Sequence, residues 1–95
     1  MKVIVVQRLQ NSDHAKIRAG LENFEKHGGP SGMEGLWLSA DARTVFAIAE
    51  VDDLNEVHKY MSLYSPYVEE IEVHVVSDAA TGVANMKAAL DMAVS

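Results

Sequence analysis

The sequence contains no cysteine and no long apolar run, and each absence excludes a class of protein. Without cysteine there are no disulfides, no thiolate catalysis, no iron–sulfur ligation and no cysteine-ligated zinc. The apolar run near the start, Val3 to Val6, is far shorter than the ~20 residues that span a bilayer. It is also β-branched and lacks a small-residue cleavage site, so we expect no membrane segment, no secretory signal and a cytoplasmic location.

Positive charge is also scarce. The net charge is −6, and residues 34–95 carry three basic and eleven acidic side chains against five and three in residues 1–33. Nucleic-acid binding needs a basic face that displaces counterions, and no Lys/Arg cluster is present. We therefore expect no nucleic-acid partner, and we interpret the acidic balance as ordinary solubility chemistry.

The composition is that of a globular domain. Of the 95 residues, 48% are hydrophobic and 23% are charged. A chain of this length buries roughly 60 to 70% of its unfolded surface, which is enough for one core.

The first half of the chain predicts a strand, a helix and a hairpin. Residues 2–9 are apolar in both alternating sets, which is typical of a strand covered on both faces. Capping residues at 11–13 precede a helical stripe, Ile17, Leu21 and Phe24, which ends at Gly28-Gly29-Pro30. Strands over 33–39 and 44–51 follow, with a turn at 39–43 in which we expect Asp41 and Arg43 to form a weak ion pair.

The second half predicts helix, strand and helix. Asp53 and Glu56 resemble a capping box, and Pro66 ends the helix that they begin. Residues 68–77 alternate cleanly, as a half-exposed edge strand does. From Asp78 onward, apolar residues recur at helical spacing.

This order is β-α-β-β-α-β plus a terminal helix, and it predicts an α+β, ferredoxin-like antiparallel sheet with the first and third strands at its centre. We expect residues 1–78 to form the domain, and residues 79–95 to form an amphipathic helix that packs on the same domain or on a dimer partner. Because both central strands are apolar on both faces, one sheet face needs a cover. A second subunit is the favoured cover, and the terminal helix is the alternative.

Several short motifs also carry a resemblance to a known group of folds. They are His27-Gly28-Gly29-Pro30, the Gly-rich segment 32–35, Leu36-Trp37, Asp41-Ala42-Arg43 and Asp52-Asp53. With these motifs the chain resembles the dimeric α+β barrel superfamily, and above all its short uncharacterised bacterial members, over about residues 1–78. The superfamily includes antibiotic-biosynthesis-type and haem-degrading monooxygenases, muconolactone-isomerase-like proteins and ligand-binding domains of some bacterial regulators. The resemblance implies a homodimer with pockets between each sheet and its helices, and it transfers no catalytic residue.

The histidines are candidate catalytic groups, each with a structural alternative. His27 lies at a helix end, where a cationic imidazole interacts favourably with the helix dipole. A role as general base would require Trp37 or Asp41 to converge on it. His58, like Tyr60, falls one position off the apolar stripe of its helix, which is typical of packing at the edge of that stripe.

An aromatic group is the best candidate for a ligand site. Tyr60, Tyr64 and Tyr67 cluster near the end of the second helix, and Trp37 lies on a strand that could approach them. Together with Met33 and Met61 they could line an apolar pocket, and ordinary core or dimer packing is the alternative.

Glu70, Glu72 and His74 share one face of a strand and could in principle ligate a metal. Because no second strand offers matching ligands, we predict no metal site, and we predict no cofactor.

Two function classes stay open. The first is a binder or converter of a small apolar or aromatic molecule, of the cofactor-free monooxygenase or isomerase type, with a cleft lined by Trp37, Tyr60, His27 and His58. The second is a non-catalytic dimerisation or regulatory module that meets a protein partner.

Overall fold

The computed structural model describes residues 1–9 and 13–94 and has the predicted order of elements. The elements are β1 (Lys2–Leu9), α1 (His14–His27), β2 (Met33–Leu38), β3 (Thr44–Glu50), α2 (Leu54–Tyr64), a single 3₁₀ turn (Ser65–Tyr67), β4 (Val68–Val76) and α3 (Ala79–Val94). The α+β, ferredoxin-like fold is therefore confirmed.

The four strands form one antiparallel sheet in the order β2-β3-β1-β4. The predictions that β1 and β3 are central and that β4 lies at an edge are confirmed. Val3 lies opposite Ala49 on one side and Val75 on the other, so these side chains share one face of the sheet. We call this the helix face, because α1 and α2 lie over it.

The other face of the sheet, which we call the open face, is apolar along its centre. Ile4 and Val6 of β1 lie opposite Ile48 and Phe46 of β3, and Trp37 of β2 extends the row. Phe46 is 41% exposed and Trp37 is 54% exposed. The chain therefore leaves on this face the uncovered apolar surface that the double-sided pattern of β1 and β3 predicts.

The start and end of α1 follow from local hydrogen bonding. The carboxylate of Asp13 accepts from the backbone N–H of Lys16 at 3.0 Å and so caps the helix; the other predicted caps, Asn11 and Ser12, lie outside the described residues. Gly28 has φ of 68°, a left-handed conformation, and its N–H donates to the carbonyl of Phe24. Gly28 thus ends the helix as predicted.

The capping box predicted for α2 is only half right. Asp53 accepts from the backbone N–H of Asn55 at 2.9 Å and caps the helix. The carboxylate of Glu56 instead accepts from the backbone N–H of Ser31 at 3.0 Å and from its hydroxyl at 3.3 Å. The loop after α1 brings these two donors to α2, and Glu56 joins the loop to the helix.

The buried core lies at one end of the helix face. Val3, Ala49, Val51 and Val57 form a buried cluster, with Met33 and Met61 packed against it. Gly32 closes this end, because the Glu50 N–H donates to its carbonyl at 2.9 Å and a Cβ at Gly32 would lie 1.7 Å from the Glu50 carbonyl oxygen. We call this region the packed end.

The β2–β3 hairpin lies at the opposite end of the sheet. The Asp41 carboxylate accepts from the Ser39 hydroxyl and, at 3.1 Å, from the backbone N–H of Arg43. These two hydrogen bonds lower the pKa of Asp41 below its usual value. The predicted contact between Asp41 and Arg43 is made through the backbone N–H of Arg43, and the positive charge of Arg43 lowers the pKa of Asp41 to a smaller extent.

Helix α3 projects from the domain. The radius of gyration is 16.5 Å, whereas a compact chain of this length has about 12 Å. The Asp78 carboxylate caps α3 by accepting from the backbone N–H of Thr81 at 3.0 Å and from its hydroxyl at 2.8 Å. Within the described residues, no helix has the length and apolar character needed to cross a bilayer.

Candidate functional site

A cavity of about 460 Å³ lies between the helix face of the sheet and the two helices. This volume falls within the range of small-molecule sites, about 300–1,000 Å³. The strands supply its floor, which includes Val5, Gln7, Leu36, Leu38, Val45 and Ala47. The helices and the turn after α2 supply its walls, which include Ile17, Leu21, Phe24, Met61, Tyr64 and Tyr67.

The lining is almost wholly apolar. Among the described residues that line the cavity, none carries a carboxylate, an ammonium, a guanidinium or an imidazole. An apolar ligand that displaces water from such a lining gains about 25 cal/mol for each Å² of apolar surface removed from water. The cavity therefore suits a ligand with a large apolar surface and no net charge.

Gln7 is the polar side chain on the floor. It follows Val3 and Val5 on the helix face of β1, where the alternation would otherwise place an apolar residue. Among the described residues, its Nε2 makes a weak contact with the sulfur of Met61 at 3.6 Å. The carboxamide can therefore bind one polar group of a ligand, and such isolated polar groups fix orientation in apolar sites.

Sequence reasoning missed Gln7 as a candidate. The signal was present, since a glutamine interrupts the inward alternation Val3, Val5, Leu9 of a central strand.

Tyr64 joins the two helices at the wall of the cavity. Its hydroxyl donates to the carbonyl of Gly28, just after α1, and its ring lies 6.2 Å from the ring of Phe24. Burial raises the pKa of the Tyr64 phenol above its usual value, and the neighbouring Tyr60 contributes in the same direction. Tyr64 is thus held as a neutral donor that fixes α1 against α2.

The mouth of the cavity is formed by three leucines, which we call the mouth residues: Leu21, Leu36 and Leu38. They are 59%, 43% and 58% exposed. Leu21 lies on α1, whereas the other two lie on the edge strand β2. The gap between α1 and β2 therefore opens the cavity to solvent.

The structure brings some of the predicted ligand residues together. Met61 and Tyr64 line the cavity, as do Met33 and Tyr67. Trp37 borders it, but the indole ring occupies the space that a Cβ at Gly35 would need. Since Gly35 and Trp37 pair with Ile48 and Phe46, this ring lies on the open face.

The other predicted site residues lie elsewhere. Tyr60 and His58 are on α2 but do not line the cavity, and the ammonium of Lys59 lies 5.5 Å from the Tyr60 ring. His27 is exposed at the end of α1. Within residues 1–9 and 13–94, no hydrogen bond or ion pair joins His27 to Trp37 or to Asp41.

The carboxylates of β4 form ion pairs along the open face. Glu70 lies 3.1 Å from Arg8, and Glu72 lies 3.9 Å from Arg8 and 3.6 Å from His74. All of these groups are substantially exposed, so the pairs contribute little to stability. In the part of the chain that the structure describes, no group of three or more histidine, aspartate or glutamate side chains could hold a metal ion.

Solved structures share the fold. Two structures of a protein from Agrobacterium tumefaciens, one described as a nipsnap family protein with unknown function, superpose with TM-scores of 0.54 and 0.53 at 17% identity. The alignments cover 82% of this chain and 92% and 86% of the other. An uncharacterized NIPSNAP domain protein from Burkholderia xenovorans gives a TM-score of 0.50 at 18% identity, over 83% of this chain and 96% of the other.

At these identities the similarity concerns the fold alone, an α+β ferredoxin-like fold with a four-stranded antiparallel sheet. No curated protein matches the chain. A family model described as a domain of unknown function, DUF3303, matches residues 1–90. The chain therefore belongs to the DUF3303 family.

Proposed function

We propose that the protein binds a small, uncharged apolar or aromatic molecule that carries one polar group, in the cavity between the sheet and the helices. The observation that carries this proposal is the cavity itself, about 460 Å³ in volume with an apolar lining and one isolated carboxamide, that of Gln7. An aromatic molecule would pack between the side chains of the floor and those of α1.

Binding is favoured over conversion by the chemistry of the lining. The monooxygenase or isomerase reactions considered above would need a group that accepts or donates a proton near the ligand. Tyr64 and Tyr67 are the titratable side chains among the described lining residues, and the hydroxyl of Tyr64 already donates to Gly28.

Titration with the uncharged fluorescent probe N-phenyl-1-naphthylamine tests this proposal. We expect saturable binding to the wild-type protein and a large loss in the variant Ala47→Leu, because the added side chain fills the floor. Ala15→Leu adds the same bulk at an exposed position of α1 and is the matched control. Equal binding to both variants, or no binding to the wild type, would contradict the proposal.

We further propose that the protein acts as a homodimer in which the open faces of two sheets pack together. Ile4, Val6, Phe46 and Ile48 form an apolar strip with ion pairs beside it, the usual layout of an interface with a dry core and a polar rim. The twofold arrangement is also the commonest one for a self-complementary surface.

Light scattering with Phe46→Glu tests the dimer. We expect the variant to be a monomer at concentrations where the wild type is a dimer, since it would bury a carboxylate in the interface. Leu54→Glu adds the same charge at an exposed leucine at the start of α2, outside the open face, and we expect it to remain dimeric. A monomeric wild type at micromolar concentration would overturn the proposal and favour the alternative, an interaction module that meets another protein.

A further inference from the structure

Helix α3 presents an apolar stripe to solvent. Val83, Met86 and Leu90 lie at helical spacing along one side, and they are 48%, 65% and 64% exposed. Lys87 and Asp91 are the two charged residues of the helix. A helix of this composition is normally buried against a partner surface.

The connection to β4 directs α3 away from its own domain. Ser77 and Asp78 form the whole link, and Asp78 is held by its two hydrogen bonds to Thr81. A helix of sixteen residues is about 24 Å long, and the chain as a whole extends over 57 Å. The stripe is therefore placed where a second chain can reach it.

We infer that α3 of a second copy lies across the mouth of the cavity, with its Met86 and Leu90 against the mouth residues Leu21, Leu36 and Leu38. Each site would then be completed by the other subunit, and the two subunits would exchange their C-terminal helices. This inference rests on the cavity proposed above as the ligand site. An apolar stripe at i, i+3 and i+7 seated in a hydrophobic groove is a general mode of helix recognition.

The mouth matches α3 in having no net charge. The charges of Lys87 and Asp91 cancel, so the net charge of −6 lies entirely outside this helix. A neutral helix approaches an acidic domain without like-charge repulsion. The described lining of the cavity is likewise uncharged, whereas the open face carries ion pairs of Arg8, Glu70 and Glu72 beside its apolar strip.

The area of the open face also indicates a second contact. Four strands of about seven residues present a face of about 19 Å by 23 Å, or ~440 Å² of flat area, from the usual strand spacing and rise, and the accessible area of its side chains is larger than this flat area. A stable interface buries about 800 Å² on each partner. Helix exchange would add to the area buried between two chains and would also cover the exposed leucines of the mouth.

Site-directed photocross-linking tests the inference on the full chain. Because the chain lacks cysteine, Leu90→Cys accepts a benzophenone maleimide at one position. Chains of natural isotope composition that carry the benzophenone are mixed with isotope-enriched (heavy) wild-type chains that carry none. The mixture is equilibrated and irradiated, and the cross-linked peptides are identified by mass spectrometry. Asn85→Cys, on the opposite side of α3, carries the same label as the matched control.

We expect products at twice the chain mass that join one light chain to one heavy chain. The label at position 90 should cross-link to the heavy-chain peptides that contain Leu21, Leu36 and Leu38. The yield should clearly exceed that of the Asn85→Cys control. Cross-links confined to the labelled chain would show that α3 folds back on its own domain. Cross-links to the open face or to another α3, or yields equal to the control, would equally overturn the inference. Probe binding by the unlabelled wild type is measured in parallel, so a failed ligand site and a failed helix exchange are told apart.

Discussion

The two ends of the layer between sheet and helices share the same strands but differ in packing. At the packed end, Val3, Ala49 and Val57 are buried against one another. At the other end, which we call the open end of the layer, Leu36 and Leu38 remain exposed on the helix face of the sheet. The difference arises because α2 covers the first end through Val57 and Met61, whereas α1 contacts α2 but leaves β2 uncovered. One end stabilises the fold, and the other leaves room for a ligand.

The largest effect should come from Gly32→Ala at the packed end. The new Cβ would overlap the backbone carbonyl of Glu50, so β2 and β3 must separate. We expect a loss of about 3 kcal/mol or more in the free energy of unfolding, measured by chemical denaturation. Gly82→Ala in α3, where the nearest atom would be 3.7 Å away, should be neutral or stabilising by up to about 1 kcal/mol. Similar losses in both variants would contradict the close approach at Gly32.

A pair of truncations compares the two ends directly. Val3→Ala should cost about 2–3 kcal/mol of unfolding free energy, because it removes buried methyl groups and leaves a cavity. Leu38→Ala should change stability by less than about 0.5 kcal/mol. It should instead weaken binding of N-phenyl-1-naphthylamine, roughly two- to fivefold in Kd, for a lost apolar contact at the mouth. A larger loss of unfolding free energy in Leu38→Ala than in Val3→Ala would contradict the difference in packing between the two ends.

Tyr64 lies at the junction between the two regions. Tyr64→Phe removes the donor to the Gly28 carbonyl and should cost about 1–2 kcal/mol in thermal or chemical unfolding. Tyr60→Phe, the matched control on the same helix, should cost less than about 0.5 kcal/mol.

The raised pKa of Tyr64 also predicts a pH effect. The folded protein keeps the phenol protonated above the ordinary value of 10.0, so the stabilisation is present below that pH and is lost as the pH rises through the folded pKa. Tyr64→Phe should lack this alkaline loss. A variant with the wild-type alkaline profile would assign the effect to other groups.

The smallest effect is expected at the hairpin beside the open end. Ala42 has φ of 61°, a left-handed conformation that glycine adopts more readily. Ala42→Gly should raise the melting temperature slightly, by a gain of about 0.5 kcal/mol, whereas Ala40→Gly in the same turn should lower it by a similar amount. Destabilisation by both variants would show that the backbone at Ala42 is not strained.

The sequence predicts the fold well because the relevant signals are local. The double-sided pattern of β1 and β3 indicates central strands, and Asp53, Gly28 and Pro66 mark helix boundaries through groups within a few residues. Glu56 departs from its predicted cap because its partner, Ser31, is distant in sequence. Such long-range contacts leave no local signal.

The candidate site is harder to predict for the same reason. Met61 and Tyr64 are predictable because they belong to the group of aromatic and methionine residues near the end of the second helix. The ring of Trp37 lies on the open face and not on the helix face, because a bulge between Met33 and Gly35 shifts the register of β2. The homodimer, the cytoplasmic location and the ligand stay predictions.

The five methionines allow one direct test of the central claim, that the open end of the layer binds a small apolar molecule. In methyl-labelled protein, titration with N-phenyl-1-naphthylamine should shift the resonances of Met33 and Met61, which line the cavity, and leave Met1 unchanged. A shift of Met86 as well would place α3 at the mouth. Unchanged Met33 and Met61 resonances at saturating probe would contradict the account.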